Sequence, residues 1–250
     1  MATGSDAPPH LLARFRNACG ALLLPQTKTG KRIRLPTLEL WLVKHGCFGA
    51  KNTRPLNEAE IALAQSVFHE ALDYARIRIA YTSVVSAPTT LGDVIRTNGD
   101  MSDTTLVHEL MHVWQFQTRG TAYISDSICH QLASLAVHGH RGGAYRLTGA
   151  DVLAACHIDD LSAEQQAVLV ERWFENGTLQ FYHQDASQTR SLSSHRPVRQ
   201  LPQCQELLAQ IRAAQPLPSD YIRAEALGLG PSILTRLLRL EPSTSFFRPQ

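Results

Sequence analysis

The segment His108-Glu109-Leu110-Met111-His112 constrains this chain more than any other, because it sits inside an apolar run. Leu106, Val107, Leu110, Met111, Val113, Trp114 and Phe116 cover nearly every face of a helix over 103–117, so the spacing predicts a core helix. Two imidazoles and a carboxylate are costly there unless they share a partner. Residues four apart lie on one helical face, so His108 and His112 can reach one ion, and Glu109 stands beside them, placed to take a proton from water rather than to ligate. Two neutral imidazoles and one carboxylate leave a fourth position open, the pattern of a catalytic zinc. With eleven His and eleven Glu in 250 residues, chance supplies such a motif only ~0.02 times. A metal ion is therefore the expected cause.

The third ligand is open on spacing alone. A third His six residues after the second would mark a metzincin, but that position holds Thr118, which excludes the class. Asp126, fourteen residues on, suits an aspartate-ligated zincin, although an Asp entering a helix is also an ordinary cap. His130 and His157 are geometrically reachable. A gluzincin-type site takes a Glu from a later helix: Glu164 falls in the first turn of a helix opened by Ser162, where an acidic side chain also complements the helix dipole. Glu171 lies two turns further along the same helix.

Around this core the pattern is mostly helical with a small sheet. Asn57 and Glu60 form a capping-box start, and Ile61, Ala64, Phe68, Ala71 and Leu72 recur at helical spacing over 58–73. Arg76–Tyr81 alternates charged and apolar residues as a strand does, 83–97 can supply more strands, and Asn98-Gly99-Asp100 is a turn. Asp103 is the expected cap of the HExxH helix and Gly120 its end. A third helix is expected over 122–137, one over 162–176 from the Ser162/Gln165 capping box, and shorter ones near 203–214, 219–227 and 231–240. The fold class expected is α+β, mainly α. Its organisation reads as an irregular N-terminal segment (1–53), a metallopeptidase core (54–185) and a C-terminal helical extension (186–250).

Composition narrows the function. The longest apolar stretches, Ala18–Pro25 and Leu38–Val43, fall far short of the roughly 20 residues that span a bilayer. A net charge of +2 gives no strong pull on nucleic acid. Residues 186–250 hold eight Arg against four acidic residues, but no binding motif accompanies them. The basic cluster Lys28, Lys31, Arg32 and Arg34 reads as a solvated loop. Five cysteines without a CxxC pair suggest small buried hydrophobes in a reduced compartment. The apolar core after Arg14 and Arg16 is too short for a signal peptide, so export would need another route.

Several segments taken in order carry a resemblance. These are Arg54-Pro-Leu-Asn-Glu-Ala-Glu60, Phe68–Ile79 (FHEALDYARIRI), Leu106–Gln115 (LVHELMHVWQ), Gly142-Gly-Ala-Tyr145 and Ala163-Glu-Gln-Gln-Ala167. Together they resemble the small Vgr-related proteins and the zinc metallopeptidase domains at the C-termini of some type VI secretion spike (VgrG) proteins. The resemblance covers 54–176. One departure is visible: the acidic-aromatic stretch usual after EQQA reads here as Glu171-Arg-Trp-Phe174.

The resemblance implies a zincin-like, gluzincin-type core holding one zinc through His108, His112 and Glu164, the Glu of the EQQ motif. Glu109 would be the general base. Tyr145, in the resembling segment, is the first choice for stabilising the oxyanion, with His157, Tyr182 and His183 as alternatives. The implied protein is an antibacterial effector toxin made in the cytoplasm and carried out without a signal peptide. Its substrate would be a protein or a peptide, a peptidoglycan peptide included, in the target cell's periplasm. A VgrG spike or adaptor and a cognate immunity protein are the implied partners. A different class stays open: a non-catalytic adaptor whose zinc site only staples helices.

Overall fold

The computed structural model describes residues 52–218, apart from 84, 86, 122, 125, 129, 132–140 and 185–190. The basic cluster at 28–34 and the helices expected over 219–227 and 231–240 lie outside the described residues. The fold is mixed α+β and mainly helical. Four strands, β1 (Thr53–Pro55), β2 (Arg78–Tyr81), β3 (Thr89–Leu91) and β4 (Val94–Thr97), form a sheet in the order β1-β2-β4-β3. β2 and β4 run parallel, and β1 and β3 pair antiparallel to them at the two edges. Ile79 and Ile95 are fully buried and belong to one apolar cluster with Leu106, Val107, Leu110 and Met111.

Helix α1 (Glu58–Phe68) starts as expected: Asn57 and Glu60 exchange both capping-box bonds, and Arg54 grips Glu60 with two bonds of 2.7 and 2.8 Å. It ends five residues earlier than its periodicity suggests. His69 takes a positive φ of 52°, and Ala71 and Leu72 reach the core from a turn rather than from the helix. Helix α2 (Asp103–Arg119) carries the HExxH motif. Its cap is Ser102, not Asp103: the Ser102 hydroxyl accepts from the Thr105 backbone N–H at 3.1 Å, which leaves Asp103 in the first turn. Gly120, with φ 68°, closes the helix.

The described residues between 123 and 131 are helical, within the expected third helix. Helix α3 (Gly149–Ala154) follows a 3₁₀ turn at Arg141–Tyr145. Helix α4 (Ala163–Phe174) opens on the Ser162/Gln165 capping box and packs along α2. The expected run to 176 stops at 174 because Asn176 turns to a φ of 55° and Gly177 N–H reaches back to the Arg172 carbonyl at 2.7 Å.

Strands β5 (Thr178–Gln184) and β6 (Ser191–Pro197) then form a hairpin that the sequence pattern did not announce. Helix α5 (Pro202–Ala213) returns Leu207, Leu208 and Ile211 to the main core. There the Trp114 indole N–H donates to the Ile211 carbonyl at 3.0 Å, so α5 buttresses the HExxH helix. Cys204 is buried, and burial pushes its thiol up to about 11. Cys156 is exposed, against expectation, because it lies just beyond α3 where its N–H caps onto Asp160. Among the described residues no helix is long and apolar enough to cross a membrane.

Candidate metal centre

Helices α2 and α4 bring three side chains to one point. His108 and His112 project from one face of α2, and Glu164 comes from the first turn of α4. One ligand atom from each lies within 4.8 Å of the others. Glu164 Oε2 is 3.6 Å from His108 Nε2 and 3.4 Å from His112 Nε2. Four ligands at the 2.0–2.1 Å bond lengths of zinc stand about 3.3 Å apart around a tetrahedron, so these separations fit a small ion at their centre. Glu164 is 2% exposed, and its Oε2 is buried with no hydrogen-bond partner. A buried carboxylate oxygen aimed at two imidazole nitrogens is what a cation seat requires.

The surroundings prepare both imidazoles as ligands. A carboxylate can only accept, so the 2.7 Å contact between His108 Nδ1 and Glu171 puts the His108 proton on Nδ1. His112 Nδ1 lies 2.8 Å from the Gln115 side-chain carbonyl. The orientation of that amide is fixed, because its NH₂ donates to the Ala163 carbonyl and to Gln166 Oε1, both at 2.9 Å. Gln166 is fixed in turn by donating to the Ile158 and Leu161 carbonyls. His112 therefore also carries a proton on Nδ1, which leaves Nε2 of both rings as the nitrogen turned toward Glu164 and able to ligate an ion once its own proton leaves. Such outer partners hold ring orientation and raise ligand basicity.

The electrostatics agree. Burial alone would push both imidazolium groups down, but Glu164, with Glu171 beside His108, outweighs it: His108 is pushed up to about 10 and His112 is raised. Burial would likewise raise Glu164, yet the positive charge of His112, the close approach of both imidazoles and the bond from Ser127 hold it well below the usual carboxylate range. The point between the three side chains thus favours positive charge.

The other ligand candidates are engaged elsewhere. Asp126 caps α4 by accepting from the Ala163 N–H at 2.8 Å, and His130 Nδ1 bonds the Asp126 carbonyl at 2.8 Å. His157 caps the Ile158–Asp160 turn with a side chain 60% exposed, which removes it as ligand and places it in solvent rather than over the site. Glu171 serves His108 instead of the ion. Glu109 is 6% exposed and stays outside the ligand set, where the Thr90 hydroxyl on edge strand β3 donates to its Oε2 at 2.7 Å. Tyr145 stands at the rim, its ring centroid 6.1 Å from that of His108 and its hydroxyl 3.5 Å from the Gln131 amide. The side chains of Tyr182 and His183 lie outside the described residues.

Purified protein is expected to retain about one zinc per chain, read by elemental analysis after dialysis. Failure to take up any zinc when it is supplied would refute the site.

No family model matches this chain, and no curated protein does. Among solved structures, the effector domain of Pseudomonas aeruginosa VgrG2b is similar at 24% identity with a TM-score of 0.42. The likeness covers 56% of this chain and 86% of that one.

Proposed function

We propose that this protein is a zinc-dependent peptidase that hydrolyses an amide bond, acting as an antibacterial type VI secretion effector in the periplasm of a target cell. The observation that carries the peptidase reading is the convergence of His108, His112 and Glu164 with Glu109 alongside but outside the ligand set. Three protein ligands among the described residues are the number that the open, catalytic class of zinc site uses, where a closed, structural site uses four, and this supports the peptidase reading over the adaptor one. Effector delivery, a VgrG spike or adaptor as carrier and an immunity protein as inhibitor are supported by the sequence resemblance over 54–176.

Zinc, when bound, supplies a Lewis acid for the scissile carbonyl and makes water acidic near neutral pH. The protein's own groups do the rest. The Glu109 carboxylate, oriented by the Thr90 hydroxyl, accepts the proton of the attacking water and returns it to the leaving amine. Tyr145 at the rim donates to the oxyanion that forms as the carbonyl carbon becomes tetrahedral. The substrate is a protein or a peptide, the peptide crosslinks of the cell wall included.

The test is periplasm-directed expression of wild type beside Glu109→Ala in a bacterium. Lysis or altered cell shape is expected from wild type alone, while Glu109→Ala retains zinc, because Glu109 acts on water and not on the ion. Equal toxicity of the two, or harmlessness of both, would reject the proposal.

A further inference from the structure

The triad uses only one oxygen of Glu164, and the other is fully claimed. Glu164 Oε1 accepts from the Ser127 hydroxyl and, at 3.0 Å, from the Gln131 amide. The same amide also reaches Ser127 Oγ at 3.2 Å, so the two donors brace each other. Ser127 and Gln131 are both helical and four residues apart, a spacing that puts them on one face. Oε2 is left without a hydrogen-bond partner and points at both imidazole Nε2 atoms. Ser127 and Gln131 both bond to Oε1 rather than to the oxygen that faces the imidazoles, and the peptidase chemistry assigns them no part.

We propose that Ser127 and Gln131 are positioning residues that restrict Glu164 to one-oxygen ligation and thereby keep the fourth metal position open. A carboxylate has about four lone-pair sites and can grip a cation with both oxygens. Two donors on Oε1 oppose that grip, since rotating the carboxylate onto the ion would strip both bonds from a buried oxygen. Without them, Glu164 turns both oxygens to the ion, the coordination number rises from four to five, and the corner needed by water is crowded. Gln131 extends the clamp to the rim, because its amide also lies 3.5 Å from the Tyr145 hydroxyl. The proposal rests on the metal-binding part of the function proposed above.

The experiment replaces zinc with cobalt(II) in the full chain and compares the visible absorption of wild type, Ser127→Ala/Gln131→Leu and Ser127→Thr, with zinc affinity measured by chelator competition. Wild type is expected to show the intense bands of a four-coordinate ion. The double variant should show the weaker bands of a five-coordinate ion, with zinc affinity changed about 10-fold or more. Ser127→Thr, which keeps the hydroxyl, should restore the wild-type spectrum. If the double variant does not fold by circular dichroism, Gln131→Leu alone is read in the same way. An unchanged spectrum at saturating cobalt overturns the proposal even where affinity falls, because the residues would then support the site without setting ligation. Failure of wild type itself to bind either metal overturns the metal reading, so the two failures are distinct.

Discussion

Glu164→Leu is expected to abolish zinc retention and to lower the stability of the metal-free fold. The ligand set shrinks to two imidazoles, both held by partners that survive the substitution: Glu171 on His108 and Gln115 on His112. Two imidazole nitrogens with no anionic ligand beside them do not compete with a chelator at neutral pH, so affinity should fall by orders of magnitude. Stability follows a different rule. Glu164 is a carboxylate with 2% exposure that keeps both imidazolium groups raised, and removing one partner of a buried charged cluster costs about 3–5 kcal/mol because the remaining charge is left uncompensated. Ser127 and Gln131 also lose their acceptor, at about 1–3 kcal/mol. The metal-free melting temperature should therefore fall, by on the order of 10 °C. The two losses are separated by adding zinc. A ligand at 1,000 times its Kd stabilises by about 4.1 kcal/mol, which for a chain of this size raises Tm by roughly 8–16 °C. Wild type should show that rise and Glu164→Leu should not. A full zinc-induced rise in the variant would move the third ligand elsewhere and end the triad.

What could be read in advance, and what could not, divides along the range of the interactions. The HExxH helix was legible because an apolar surround and a four-residue spacing are both local signals, and so were the capping boxes at Asn57 and Ser162. Glu164 was different. Fifty-two residues separate it from His112, no local rule closes that gap, and spacing left five candidates of which the sequence resemblance favoured one. The side chains that prepare the site were not read at all. Thr90, Ser127, Gln131 and Gln166 act through tertiary hydrogen bonds, and nothing about an isolated Thr, Ser or Gln distinguishes such a role. Gln115 carries a faint signal: an amide three residues past His112, within the apolar stretch Leu110–Phe116 of the helix, needs a buried partner as much as the histidines do. The β5–β6 hairpin was missed for a local reason. Leu179 and Phe181 do alternate inward on β5, but β6 reads SLSSHRP, a polar run with little strand preference. Its pairing with β5 decides it. Periodicity extends helix α1 too far because Ala71 and Leu72 keep helical spacing while lying in a turn: the spacing reports their burial, not the conformation that buries them.

Trp114→Ala should differ from Glu164→Leu in its zinc response, combining a large loss of stability with an undiminished response to zinc. Trp114 is 2% exposed, packs in the main core, and is the point where α5 meets α2 through the bond to the Ile211 carbonyl. The Arg119 guanidinium lies 4.6 Å from the centre of its ring. Truncating a buried Trp costs about 3–5 kcal/mol, and the orphaned Ile211 carbonyl adds to that. For a chain of this length the expected fall in Tm is on the order of 10 °C. The ligands should survive, because none of the bonds that orient His108, His112 or Glu164 passes through the indole. His108 is held by Glu171, His112 by the Gln115–Gln166 amide pair, and Glu164 by Ser127 and Gln131. Thermal melts of Trp114→Ala with and without zinc should therefore show a lowered baseline and an undiminished zinc increment. Loss of the increment together with the baseline would mean that the metal centre depends on the α5 buttress, and that 202–213 belongs to the metal-binding unit rather than to its support.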